Sequence, residues 1–73
     1  MSFAERRIKK LRVGQEVTIQ GVDVSAYIAH DGGVKYEVHG EDHNYYSNTP
    51  WGAEIQIGEE IRRRRLIKKG IFR

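Results

Sequence analysis

The sequence predicts a single small domain, mainly β with some helix, in which about five short antiparallel strands form a small barrel or curled sheet. Two observations lead to this fold. Between residues 14 and 58, β-branched and aromatic residues alternate with polar ones, and turn formers separate these runs at intervals of roughly 8 to 12 residues. The chain has only 73 residues, too few for two separate cores. Basic segments at 1–13 and 59–73 flank this acidic, β-rich body.

The N-terminal segment predicts a short helix over residues 2–12. Ser2 is a suitable N-cap, and Glu5 follows it at the spacing of a capping box. Apolar residues then recur on one helical face, at Ala4, Ile8 and Leu11. We expect this face to dock on the sheet, because it is too small to anchor the chain to a membrane.

Three strands and a hairpin are predicted next. Residues 17–20, extending towards Val22, alternate as a half-buried first strand, and residues 24–29 alternate as a second. Residues 30–33 contain Asp-Gly and Gly-Gly, which favour the positive φ angles of tight hairpin turns. Residues 34–39 alternate strictly, so they complete this hairpin as the third strand.

Two shorter runs complete the predicted strands. Tyr45 and Tyr46 fit a short fourth strand, which residues 47–50 interrupt with turn formers and a proline. Residues 53–57 alternate isoleucine and alanine with polar residues, so they predict a fifth strand. In strand number alone, the result is similar to small SH3-like or OB-like barrels.

The C-terminal segment, residues 59–73, has no clear period. A short helix beginning at Glu59 agrees with acids in its first turn and with basic residues before Gly70. The alternative is a closing strand at residues 66–67 that turns back through Gly70 to residues 71–72. Both alternatives leave the segment strongly basic.

Charge is sharply segregated along the chain. Residues 1–13 carry five basic residues against one acid, residues 61–73 carry seven against none, and residues 14–60 carry one against nine. The two ends can converge into a patch that attracts phosphates and releases counterions. Alternatively, they can lie against the acidic body, and the charges then neutralise one another. Solvated tails are the third possibility.

Four consecutive arginines are the most informative motif, because guanidinium groups bind phosphates bidentately and stay charged. On a helix they spread over more than half the circumference, so at least one must face inward or cross another surface. That is costly unless a polyanion, or an acid such as Glu59, Glu60 or Asp42, receives it. The predicted phosphate contacts are the basic residues of both ends: Arg6, Arg7, Lys9, Lys10, Arg62, Arg63, Arg64, Arg65, Lys68 and Lys69.

Aromatic residues accompany this charge. Tyr45 and Tyr46, with Tyr27, are candidates to stack on bases, although such side chains also bind proline-rich peptides or fill cores. Neighbouring residues in a strand point to opposite faces, so one of the adjacent tyrosines is expected at the surface. Trp51 is expected in the core or closing a hairpin.

No metal, cofactor or catalytic set is predicted. His39 and His43 are four residues apart beside Glu41 and Asp42, but Gly40 marks a turn, and a spacing of four brings ligands together on helices. The sequence also offers no activated nucleophile and no glycine-rich phosphate loop. An enzyme is therefore not expected.

The function predicted from the sequence is non-enzymatic binding of nucleic acid through the basic ends. The alternative is a protein-interaction module, an adaptor or inhibitor, including one carried by a mobile element, that docks on a basic partner through its acidic, aromatic body. A homodimer is possible because the core is small. Cysteine is absent and the start lacks a signal-peptide pattern, so a cytoplasmic, non-membrane protein is expected.

Overall fold

The computed structural model describes residues 2–68, which form a four-stranded antiparallel open sheet with two helices packed against one face. The strands follow one another across the sheet in chain order. The elements are α1 (Phe3–Lys9), β1 (Glu16–Ile19), β2 (Val22–Ile28), β3 (Val34–His39), β4 (Asn44–Ser47) and α2 (Pro50–Lys68).

The predicted five-stranded barrel is wrong, because the expected fifth strand belongs to α2. Ala53 and Ile57 are buried and Ile61 packs against the same core, which is the four-residue spacing of a helix face. Ile55, which a strand would place on the face of Ala53 and Ile57, is exposed. Among residues 2–68 the sheet has four strands, so β1 and β4 are its edges and the sheet is open.

Helix α2 begins at Pro50 rather than at Glu59, and the reason is local. The Thr49 hydroxyl accepts a 3.0 Å hydrogen bond from the amide of Gly52, and the Thr49 carbonyl accepts the first helical bond, from Ala53. Thr49 is therefore the N-cap, and Pro50 occupies the first helical position, where its missing N–H costs nothing. The alternative closing strand at residues 66–67 is also wrong, because both residues lie in α2. Its predicted partner at 71–72 lies outside the described residues.

The N-terminal helix is confirmed, although it ends at Lys9 rather than at residue 12. The Ser2 hydroxyl accepts a hydrogen bond from the Glu5 amide, as the capping pattern predicted. Ile8 is fully buried in the core, and Ala4 and Leu11 pack against it.

The hairpin of β2 and β3 is confirmed, with its two strands joined by residues 29–33. The Ala29 amide donates to the Gly33 carbonyl, and Gly32 has a φ of 85°. A second hairpin joins β1 and β2 through Gln20 and Gly21, which have φ angles of 52° and 80°. Two positive φ angles in a two-residue loop match the twist of the flanking strands. This turn therefore ends β1 at Ile19, before the predicted end at residue 20, and places Val22 in β2.

Alternation along the strands gives the sheet two different faces. One face packs under the helices and carries the buried strand residues Ile19, Val22, Val24, Ala26, Tyr36 and Val38. The register places Val24 opposite Val38, and Val38 opposite Tyr45. The other face has no helix over it among residues 2–68. Neither described helix is both long and apolar enough to cross a bilayer.

Candidate nucleic-acid interface

Helix α1 and its C-cap residue Lys10 present four of the predicted phosphate contacts to solvent. The apolar side of α1 is used for the core, so these cations are left exposed: Arg6, Arg7, Lys9 and Lys10. The Arg7 guanidinium lies 5.6 Å from the centre of the Phe3 ring. Within residues 2–68, none of the four cations forms an ion pair with an acid.

The four-arginine run of α2 divides into internal and free members. Arg63 binds Asp42 at 3.0 Å. Arg64 is half-buried and binds Glu60 at 2.6 Å, Glu41 at 3.2 Å and the Gly21 carbonyl at 3.0 Å. The expectation that an arginine would turn inward to an acid is therefore confirmed. The remaining described cations of α2 are exposed and have no acid partner in residues 2–68: Arg62, Arg65 and Lys68.

Helix geometry explains this division. Arg64 is four residues after Glu60 and lies on the same side of α2 as Ala53 and Ile57, the side that faces the sheet. Arg62 and Arg65 lie on another side, so their side chains extend into solvent. Lys69, the last of the predicted phosphate contacts, lies outside the described residues.

The free arginines of α2 lie on the side of that helix where α1 packs. Spacings of three or four residues place five positions in one stripe, the Trp51–Arg65 stripe: Trp51, Glu54, Gly58, Arg62 and Arg65. Phe3 and Arg7 line a shallow groove together with Glu54 and Gly58. The Glu54 carboxylate also accepts hydrogen bonds from the Ser2 hydroxyl and the Glu5 amide, which fastens the start of α1 to α2.

Glu60 is fully buried and joins the acidic loop to α2. Its carboxylate accepts hydrogen bonds from the Glu41 amide, the Tyr45 hydroxyl and the Arg64 guanidinium, at 3.0, 3.0 and 2.6 Å. Burial alone would raise the pKa of Glu60, but these donors outweigh burial and lower its pKa below the ordinary value of 4.5. Glu60 is therefore held as an anion, and this part of the basic run is neutralised internally.

The adjacent tyrosines point to opposite faces, as their position in a strand predicted. Tyr45 faces α2 and is half-buried, and burial together with Glu60 raises its pKa above 10.0. Tyr46 is 59% exposed on the uncovered face, and its ring meets Tyr27 edge to face with centroids 6.4 Å apart. Neither tyrosine lies with the free cations of the helices.

The uncovered face of the sheet is acidic. The register places Glu16, Ser25, Glu37 and Tyr46 in one row across the four strands. Asp23 lies in the neighbouring row, and Lys35 is the basic residue that the strands contribute to this face. The sequence left three arrangements of its charges open, and the ion pairs of Arg63 and Arg64 show internal neutralisation for those two residues. Two arginines are neutralised internally, whereas the free cations lie on the helices and away from the acidic face.

His39 and His43 have different neighbours. The Ser25 hydroxyl and the His39 Nε2 atom are 3.0 Å apart on the uncovered face, whereas His43 packs against the Tyr45 ring at 4.6 Å. No group of three metal-ligating side chains occurs in the described part of the chain. Glu37 lies 3.9 Å from the same Nε2 atom that faces Ser25, so it does not hold the opposite ring nitrogen as a catalytic relay requires.

Two elements of this site escaped the sequence reasoning. Trp51 is 60% exposed rather than in the core, because Pro50 begins a helix and Trp51 lies on its outer side. The pair Thr49-Pro50 was the available signal, since a threonine cap before a proline is typical of helix starts. Glu60 was one of the acids predicted to receive an inward arginine, but nothing in the sequence indicated its hydrogen bonds with the Glu41 amide and the Tyr45 hydroxyl.

Searches of protein-family models, of curated proteins and of solved structures found no match to this chain.

Proposed function

We propose that the protein is a small, non-enzymatic nucleic-acid-binding protein that contacts phosphates with its layer of two helices. One observation carries this proposal: the exposed cations of α1 and α2 that have no acid partner among residues 2–68 share the helical layer, while the acids of the sheet lie on the opposite face. A polyanion approaching the helices is attracted without meeting the acidic face.

The phosphate-binding set is narrower than the full list of basic residues. Arg63 and Arg64 are committed to Asp42, Glu41 and Glu60, so they support the interface from within. The contacts assigned to phosphates are the free cations: Arg6, Arg7, Lys9, Lys10, Arg62, Arg65 and Lys68. Each contact formed with duplex DNA releases close to one counterion, so binding weakens steeply as salt rises.

The test is binding of labelled single- and double-stranded DNA and RNA over a salt series. Arg62→Glu reverses a free cation of the helical layer, and Lys35→Glu makes the same change of net charge on the acidic face. We expect Arg62→Glu to weaken binding about tenfold. The slope of log affinity against log salt concentration should become shallower by about one, the amount for one phosphate contact. Lys35→Glu should leave both quantities unchanged.

Two results would refute the proposal. The first is the absence of binding by the unaltered protein at low salt. The second is an equal effect of the two reversals, because nonspecific net charge would then explain the binding. Circular dichroism of both variants shows whether their helices and sheet are intact.

A second candidate function rests on the uncovered face. This face carries Glu16, Asp23 and Glu37, with the exposed Tyr46 directly opposite Glu37, and no described element covers it. A lysine- or arginine-rich protein segment would complement it by charge and by cation–π contact. Under this alternative, Glu37→Lys abolishes binding of a poly-arginine peptide and Arg62→Glu does not.

A further inference from the structure

We propose that the ligand is single-stranded nucleic acid, whose unpaired bases stack on Phe3 and Trp51 while its phosphates bind the neighbouring arginines. This inference rests on the proposed function and adds the class of nucleic acid to it. It also replaces the tyrosines with two other aromatic residues as the base contacts.

The first observation is the exposure of two large aromatic side chains on the helical layer. Phe3 is 74% exposed and Trp51 is 60% exposed. Phenylalanine is among the residues most often buried and tryptophan is highly buried on average, and a small core gains stability from each large apolar side chain that it buries. Both rings remain outside this core, so their flat faces are available to a ligand.

The second observation is the position of the two rings relative to the free cations: Phe3 lies beside Arg7, and Trp51 lies on the same side of α2 as Arg62 and Arg65. The Arg7 guanidinium is 5.6 Å from the Phe3 ring centre, so a phosphate bound by Arg7 would bring its own base close to Phe3. Trp51 begins the stripe that continues through Gly58 to Arg62 and Arg65. The stripe spans about 20 Å along α2, which is long enough for several nucleotides.

The one acid of the Trp51–Arg65 stripe, Glu54, is already occupied. The Ser2 hydroxyl and the Glu5 amide donate to its carboxylate. The positive end of α1 thus partly compensates the Glu54 charge. Gly58 adds no side chain to the middle of the stripe, where an added Cβ would meet no atom within 4 Å. A strand of nucleic acid can therefore approach the helix backbone at that point.

Charge and aromatic surface together favour a single strand over a duplex. In a duplex the bases are stacked on one another, so exposed rings gain little from contact with its backbone. Unpaired bases stack on aromatic side chains, and this contribution depends little on sequence. A polyanion with exposed aromatic faces is the ligand that complements a surface carrying both free cations and the rings of Phe3 and Trp51.

The experiment uses the fluorescence of Trp51, which is the only tryptophan of the chain. The protein is titrated with oligothymidylate, with oligouridylate, with a DNA duplex of equal length and with inorganic polyphosphate of equal charge. We expect the two single strands to quench Trp51 and to bind more tightly than the duplex. Polyphosphate should bind through the cations without quenching, because it has no bases.

Three variants separate stacking from charge. Phe3→Leu and Trp51→Leu, followed by anisotropy of labelled oligothymidylate, should each weaken single-strand binding about tenfold and leave polyphosphate binding unchanged. Tyr46→Leu removes a similarly exposed ring from the acidic face and should change neither. Since all three rings are exposed, the fold should survive each change, as circular dichroism can show.

The outcomes distinguish this inference from the proposed function on which it rests. If duplex and single strand bind equally and the leucine variants match the unaltered protein, stacking is refuted while phosphate binding stands. If no nucleic acid or polyphosphate binds, both proposals fail. If Trp51→Leu weakens polyphosphate binding as much as oligothymidylate binding, the ring supports structure rather than stacking, and the inference is overturned.

Discussion

The Tyr45 hydroxyl donates a 3.0 Å hydrogen bond to Oε1 of Glu60, which connects the edge strand β4 to the middle of α2. The other carboxylate oxygen of Glu60 accepts from the Glu41 amide and from Arg64. One buried acid therefore joins a strand, a loop and a helix. Because Arg64 also reaches the Gly21 carbonyl, the same network extends to the β1–β2 turn.

Replacing this acid should destabilise the protein. Glu60→Gln removes the charge that Arg64 and the Glu41 amide bind, and it should lower the free energy of unfolding by about 2 kcal/mol. Urea denaturation followed by circular dichroism measures the change. Glu59→Gln, on the exposed side of the same helix, is the matched control and should shift the midpoint little. Equal stability of the two variants would show that the network contributes nothing.

The stability of the protein should depend on Glu60 in acid. The pKa of Glu60 is lower in the folded state than its ordinary value of 4.5, so its contribution is complete above that pH. The contribution is then lost as the pH falls through the lower, folded-state pKa. Thermal melts between pH 7 and pH 2 should show a smaller acid loss in Glu60→Gln than in the unaltered protein. Parallel curves for the two proteins would contradict this assignment.

Two glycines of α2 should respond oppositely to alanine. At Gly58 the added methyl group meets no atom within 4 Å, and alanine favours a helix interior, so Gly58→Ala should stabilise the protein by about 1 kcal/mol. At Gly52 the methyl group would overlap the Ser47 hydroxyl and approach that of Thr49, so Gly52→Ala should destabilise it. Urea midpoints of the pair test this contrast, which fails if both shift in the same direction.

The start of α1 should depend on Glu54. Glu54→Ala removes the acceptor for the Ser2 hydroxyl and the Glu5 amide, so α1 should open more often. Hydrogen exchange of the α1 amides should become several-fold faster. Glu59→Ala, which removes an exposed acid from α2, the helix that also carries Glu54, should leave the exchange of the α1 amides unchanged. Unaltered protection of α1 in Glu54→Ala would mean that Ile8 packing alone holds the helix.

Local sequence signals were sufficient to predict an element where the residue pattern fitted only one kind of structure. Ser2 and Glu5 identified the cap of α1, and the glycines of residues 30–33 identified the hairpin of β2 and β3. The segregation of basic and acidic residues along the chain also required only the sequence. The sequence did not show that these charges lie on two separate surfaces of the folded protein. Strand residues alternate between the two faces of the sheet, and only the packed helices decide which face is covered.

The sequence by itself determined the short first helix, the central hairpin and the concentration of basic residues at both ends of the chain. Only the tertiary structure decided that residues 53–57 are helical. Ala53 and Ile57 are four residues apart. This spacing fits two periods of strand alternation and also about one helical turn, so the pattern could not distinguish a strand from a helix. Packing on the sheet decided the matter, since a helix buries Ala53, Ile57 and Glu60 together while leaving Ile55 in solvent.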